Sequence, residues 1–200
     1  MLVPMELYGL TQRMGYLSPD LAIGWQVGKY VHEFFDGLQG VRIAAASEGD
    51  AAFALAYLSR EHGCYGQVTV TETPRPWDFL FYHAMTGTAL HFTLIRKYVE
   101  LSQGLRSLEP HLAMGKLAVV EIYHTGLDLL VESILKRPVS SFCQIRQIRC
   151  RPLSQTPGNN GVIRCRRCGK SASARNAWDI EGQICCQSCS GLEPDWFMYH

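Results

Sequence analysis

No apolar run in this sequence approaches the roughly 18 residues that a membrane-spanning helix needs. The opening Met1-Leu-Val-Pro-Met-Glu-Leu lacks the basic, then apolar, then small-residue order of a secretory signal. Both absences point to a cytoplasmic protein. Internal repeats and low-complexity tracts are missing too, which argues against solenoids and tethers. Charged residues are scarce at 18% while hydrophobic ones reach 47%, so global disorder is excluded and a packed interior is expected. Acidic residues are absent from 136–178, and only Phe142 represents the aromatics there before Trp178.

What that stretch does contain is ten Lys or Arg, a segment charge of +10. Residues 1–135 carry nine bases against fourteen acids, and the part from Asp179 onward carries four acids and no base, so a net charge of +1 conceals −5, +10 and −4. A basic block of this kind can meet phosphate, an acidic protein surface, or the acidic first part of its own chain. With stacking side chains so few, nucleic-acid binding ranks below a protein or intersubunit contact.

A chain of 200 residues holds one ordinary core domain and one small satellite. Ser18-Pro19-Asp20 opens a helix over 19–38, because Ser accepts an early backbone N–H, Pro suits the first turn and Asp suits the positive end of the dipole. A strand from Val41, an Ala-rich helix from Asp50 to Arg60 with His62-Gly63 as its cap, and a strand over 66–73 follow. After Pro74 and Pro76, Phe79–Ala84 and Thr88–Ile95 flank Met85-Thr86-Gly87 as a hairpin. Residues 116–136 form an amphipathic helix with Leu117, Val120, Leu127, Leu130 and Ile134 on its apolar side. Phe142 to Arg151 reads as a strand or an extended arm, and 152–161 has the composition of turn and linker. The expected fold class is α+β: a mixed sheet packed by helices (1–140), an arm and linker (141–162), and a small zinc-ribbon or treble-clef module (163–200).

That module is expected because Cys165-x2-Cys168, seventeen residues, then Cys186-x2-Cys189 is the four-cysteine zinc pattern. Each C-x-x-C turn aims two thiolates at one ion, and two turns complete a tetrahedron. Four closed ligands imply one structural Zn2+ per chain rather than a catalytic ion, which would keep a position open. Cys185 is adjacent, but only Cys186 gives the two-residue spacer.

The order of pieces resembles the E-type chain of formylmethanofuran dehydrogenase (FmdE) and related bacterial and archaeal proteins. The likeness rests on Gly15 to Gly24, Asp50-Ala51, Gly63-Cys64, the passage from Ser133 to Phe142 and the C-x-x-C-G that follows. It implies an α/β core, an accessory role in one-carbon or molybdenum and tungsten enzyme metabolism, an oxidoreductase of that kind as a protein partner, and a homodimer. The family's His-Gly-His-x-Cys-Pro-Gly reads Met14-Gly15-Tyr16-Leu17-Ser18-Pro19-Asp20 here, and a further family cysteine is Ser47. A thiolate at a helix start can bind metal or attack, whereas a Ser hydroxyl does neither without an added base. The resemblance therefore implies a retained core pocket around Tyr16, Ser18, Asp50 and Cys64 with metal binding altered or lost.

Three weaker groupings carry alternatives. Glu121, His124, Asp128 and Glu132 share a helical face that is either a ligand set or the wet side of an amphipathic helix. His83 and His91 lie opposite each other or on opposite faces of the hairpin, depending on register. Arg146, Arg149, Arg151, Arg164, Arg166 and Arg167 gather along the strand and the first C-x-x-C. The leading function is a zinc-binding accessory protein for a partner protein or small ligand. The alternatives are an enzyme that uses the core pocket and a nucleic-acid-binding zinc-ribbon regulator.

Overall fold

A computed structural model describes residues 5–45, 49–61, 68–70, 78–83, 85–153 and 161–190. The helix α1, Met5–Met14, is not signalled by any cap in the sequence. It forms because Leu7 and Leu10, one turn apart, are both wholly buried, and Gly15 at φ +77° ends it. The helix α2 spans Pro19–Phe35, with the Leu21 amide donating to Ser18 Oγ at 3.1 Å. It stops three residues before the expected Leu38 because Asp36 takes a left-handed conformation at φ 55°. The helix α3, Asp50–Glu61, crosses α2 so closely that a Cβ on Gly24 would lie 2.7 Å from Ala51 Cα. The His62-Gly63 cap lies outside the described residues.

Strands β1 (Val41–Ala45), β2 (Val68–Val70), β3 (Asp78–His83), β4 (Thr88–Leu94) and β5 (Cys143–Pro152) build most of a seven-stranded sheet. It is completed by β8 (Ala177–Ile180) and β9 (Gln183–Cys186), in the order β2-β1-β3-β4-β5-β8-β9. Among the described strands only β1 and β2 run parallel; the remaining neighbours in this sheet are antiparallel. The expected hairpin is β3–β4, and Gly87, at φ +65° with its amide on the His83 carbonyl at 3.0 Å, closes the turn. Phe79, Phe81, Leu90, Phe92 and Cys143 join Leu21, Val27, Leu55 and Ile134 in the principal core.

Of the two readings of Phe142 to Arg151, the strand is what forms. Strand β5 pairs with β4 from Leu94↔Cys143 to Thr88↔Arg149, then with β8 from Cys150↔Ile180 to Pro152↔Trp178. The basic stretch thus joins the core sheet to the cysteine-bearing hairpin within one chain. A second, smaller cluster of Tyr82, Ala89, Cys150 and Trp178 forms at this junction, with the Tyr82 and Trp178 rings edge to face at 5.6 Å.

The helix α6, Leu117–Lys136, follows the short helices α4 (Gln103–Arg106) and α5 (Glu109–Leu112). It docks on α2, where Gln26 Nε2 donates to the carbonyls of Ile134 at 3.2 Å and Leu135 at 2.6 Å. Only Val131 and Ile134 of its twenty residues are fully buried. Leu117, placed by periodicity on the apolar side, is 77% exposed, and so is much of Ile122 and Leu129. The apolar stripe is wider than the core beneath it.

Candidate functional site

The hairpin of β6 (Val162–Arg164) and β7 (Ser171–Ser173) carries the first cysteine pair in its turn. The Cys165 amide donates to Lys170 O at 2.9 Å and the Gly169 amide to Cys165 O at 2.9 Å, a tight knuckle that needs Gly169 at φ +71°. The second pair sits where β9 runs into the short helix α7, Gln187–Ser190. Arg166 N–H to Ile184 O at 2.8 Å and Arg167 Nη1 to Cys189 O at 2.9 Å lock the two halves together.

The result is a set of four sulfurs, on Cys165, Cys168, Cys186 and Cys189, all within 4.8 Å of one another. Cys168 and Cys186 Sγ are 3.8 Å apart. A tetrahedral zinc with bonds of roughly 2.3 Å has sulfur–sulfur edges of about 3.8 Å. The donor set fits such an ion without large rearrangement. The backbone amides of Cys186, Cys168 and Arg167, with the Cys168 thiol, donate to Cys165 and hold its thiol down to about 6. Cys189 is pushed up to about 12 by its hydrogen bonds to Cys186 and Cys168, since crowded sulfurs resist carrying four charges without a cation. Cys185 is only 1% exposed on β9, and burial raises its thiol. Trp178, the aromatic of this region, is 1% exposed and offers no stacking surface. Arg166, Arg167, Lys170 and Arg175 remain exposed on the module.

In the core, Asp50 at the start of α3 accepts two hydrogen bonds, from Tyr16 Oη at 2.9 Å and from Ser18 Oγ at 2.5 Å. Three of the four expected pocket residues therefore meet, while Cys64 lies outside the described residues. Ser18 both caps α2 and donates to a carboxylate, and among the described residues no imidazole is hydrogen-bonded to it. That arrangement holds two helix starts together rather than activating a nucleophile. His83 pairs with Thr88 and His91 with Leu80, which places the two histidines on opposite faces of the sheet. Glu121, His124 and Asp128 line the outer side of α6 without meeting as a ligand set, and Glu132 pairs with Lys136 at 2.6 Å.

Sequence reasoning overlooked Asp20, which lines a cavity of about 350 Å³ with Leu94, Val99, Glu100, Arg106 and Leu130. Helices α4 and α5, which close this cavity, leave little periodic signal because each is a single turn. Burial first, then the charge of Asp50, pushes the Asp20 carboxyl up to about 6. The unfolded value is near 3.8. The folded chain therefore keeps this proton through that window, and stability falls as pH climbs through it. Asp20→Asn is expected to leave stability near pH 4 unchanged and to raise it by about 1 kcal/mol at neutral pH. Urea melts at the two values check this, and an equal effect at both would refute it.

Among the described residues no helix is long and apolar enough to cross a membrane. No family model matches the chain. No curated protein matches it either. Among solved structures it is similar to a tungsten formylmethanofuran dehydrogenase FmdE-like protein from Syntrophus aciditrophicus, at 18% identity and a TM-score of 0.44. The match covers 93% of this chain and 90% of that one.

Proposed function

We propose that this chain is a zinc-binding accessory protein of the cytoplasm that serves a partner protein or a small ligand. The observation that carries the reading is the closed four-sulfur set with its 3.8 Å edge. A closed thiolate site builds a fold and leaves no coordination position for chemistry. We treat 163–200 as the unit that this ion stabilises. The core supports the same reading from the other side, because Tyr16 and Ser18 spend their hydroxyls on Asp50. The resemblance of Gly15–Gly24 and Ser133–Phe142 to the FmdE family is what connects the chain to one-carbon and molybdenum or tungsten enzymes, and such an oxidoreductase is the protein partner we favour. Elemental analysis of the purified chain is expected to find about one zinc per chain. Two tightly held ions would mean that the core binds metal as well, and none would remove the reading.

The same proposal includes a homodimer. Ile122 at 57% and Leu129 at 61% exposure lie on one face of α6 with Ala118 and Thr125. A large apolar stripe on an otherwise amphipathic helix marks an interface. A second copy of α6 offers the matching stripe. Light scattering at micromolar concentration is expected to give twice the chain mass of 22.5 kDa. Leu129→Glu is expected to weaken association by about tenfold or more, since it places charge in the contact. A wild-type mass of 22.5 kDa would defeat this part.

A further inference from the structure

We propose that the cavity between the first turn of α2 and helices α4 to α6 binds a small organic ammonium ion. Its apolar body would rest on Ile23, Leu94, Val99 and Leu130, and its charged head would meet Asp20. The inference deepens the ligand half of the reading above. The zinc half involves only residues 165–189 and stands or falls separately.

The charges around the cavity argue for a cation. Arg106 is the one cationic residue among the described lining, and it is already spent: Nη2 donates to Glu100 Oε2 at 2.6 Å and Nε to Leu101 O at 3.0 Å. Glu109, also in the lining, accepts the Tyr123 hydroxyl at 3.1 Å. Asp20 carries no hydrogen bond or ion pair among the described residues, and Asp50 beside it receives two neutral hydroxyls that leave its charge in place. The lining thus presents two carboxylates, Asp20 and Glu109, without a cationic partner among the described residues. A half-buried carboxylate lacking a donor is costly, and a ligand N–H+ removes that cost with a charge-assisted hydrogen bond.

Other ligand classes fit less well. An anion would seek the amides at the start of α2, but Leu21 N–H is bonded to Ser18 Oγ at 3.1 Å and Ala22 N–H to Ser18 O at 3.1 Å. It would also face three carboxyl groups. A bare divalent cation needs six or more oxygens around it, whereas this wall is largely aliphatic. The volume of about 350 Å³ stands at the low end for small-molecule pockets, enough for a ring and a short amine.

Benzylammonium, benzyl alcohol and benzoate share one body and differ in head charge. Titrated into the full-length, zinc-loaded protein and followed by calorimetry and amide shifts, benzylammonium is expected to saturate with an affinity about tenfold or more above the other two. The moving amides are expected to include Ile23, Leu127 and Leu130. Asp20→Asn is expected to abolish the preference for the amine while leaving the benzyl alcohol affinity unchanged. Equal or stronger binding of benzoate or benzyl alcohol, shifts confined to other regions, or an unaltered preference in Asp20→Asn would overturn the proposal. If that variant does not fold, the ranking of the three ligands on the wild-type chain decides the matter alone. Zinc content measured on the same sample keeps the accessory-protein reading separate.

Discussion

Replacing Cys168 with Ser is expected to strip the metal from the chain and to unfold the region 162–190, while α2, α3 and α6 still melt together. A hydroxyl does not replace a thiolate on zinc, and three remaining sulfurs cannot close the tetrahedron. Little else holds the module. Its fully buried side chains are few, Cys165, Ala174, Ala177, Trp178 and Cys185 among the described residues, against the many that line the principal core. In modules this small, bound zinc supplies on the order of 10 kcal/mol, which is most or all of the folding energy. The junction through β8 adds only three register pairs with β5, from Cys150↔Ile180 to Pro152↔Trp178. Hydrogen exchange is expected to lose protection across β6 to β9 and to keep it in β1, β3 and β4. An unchanged zinc content in the variant would refute the ligand assignment.

Gly24→Ala is expected to destabilise the core by about 3 kcal/mol or more. The new methyl would stand 2.7 Å from Ala51 Cα and 2.9 Å from its carbonyl carbon. Both are backbone atoms, so no flexible side chain can swing aside. Relief requires α2 and α3 to separate, which loosens the packing of Leu21, Val27 and Leu55 and shifts Asp50 away from Tyr16 and Ser18. Gly161→Ala is the control, because none of the described residues lies within 4 Å of its would-be Cβ, and it is expected to stay within about 0.5 kcal/mol of the wild type. Thermal melts of both variants provide the measurement. A Gly24→Ala protein as stable as the control would mean that the helices do not approach as closely as described.

Several elements were legible because their signals are local. Ser18-Pro19 announces α2, Met85-Thr86-Gly87 announces the hairpin, and the two C-x-x-C pairs announce a four-sulfur site, since cap, turn and knuckle each depend on residues within a few positions. The helix α1 was illegible for the converse reason. Gly9 and Thr11 are poor helix formers, and the burial of Leu7 and Leu10 by distant parts of the chain overrides them. The end of α2 was misjudged by the same route: periodicity runs on to Leu38, which is buried outside the helix.

The core pocket divides along the same line. Tyr16 and Ser18 are near one another in the chain, but their meeting with Asp50 depends on α3 returning across α2 at its glycines, a contact between segments far apart in sequence. Asp20 could not be singled out, because an Asp in the first turn of a helix is ordinarily a solvated partner of the dipole. Its unusual state comes from α4, α5 and α6 closing over it.

Residue spacing was sufficient for the four-sulfur set, the main helices and the charge asymmetry, because each is a property of neighbours along the chain. Spacing was not sufficient for the place of β5 between the core hairpin and β8, the opposite facing of His83 and His91, or the uncovered stripe on α6. Those depend on strand register and on which surfaces are left after packing, and both are settled by contacts between residues far apart in sequence, where the burial of apolar area summed over the whole core outweighs any local preference.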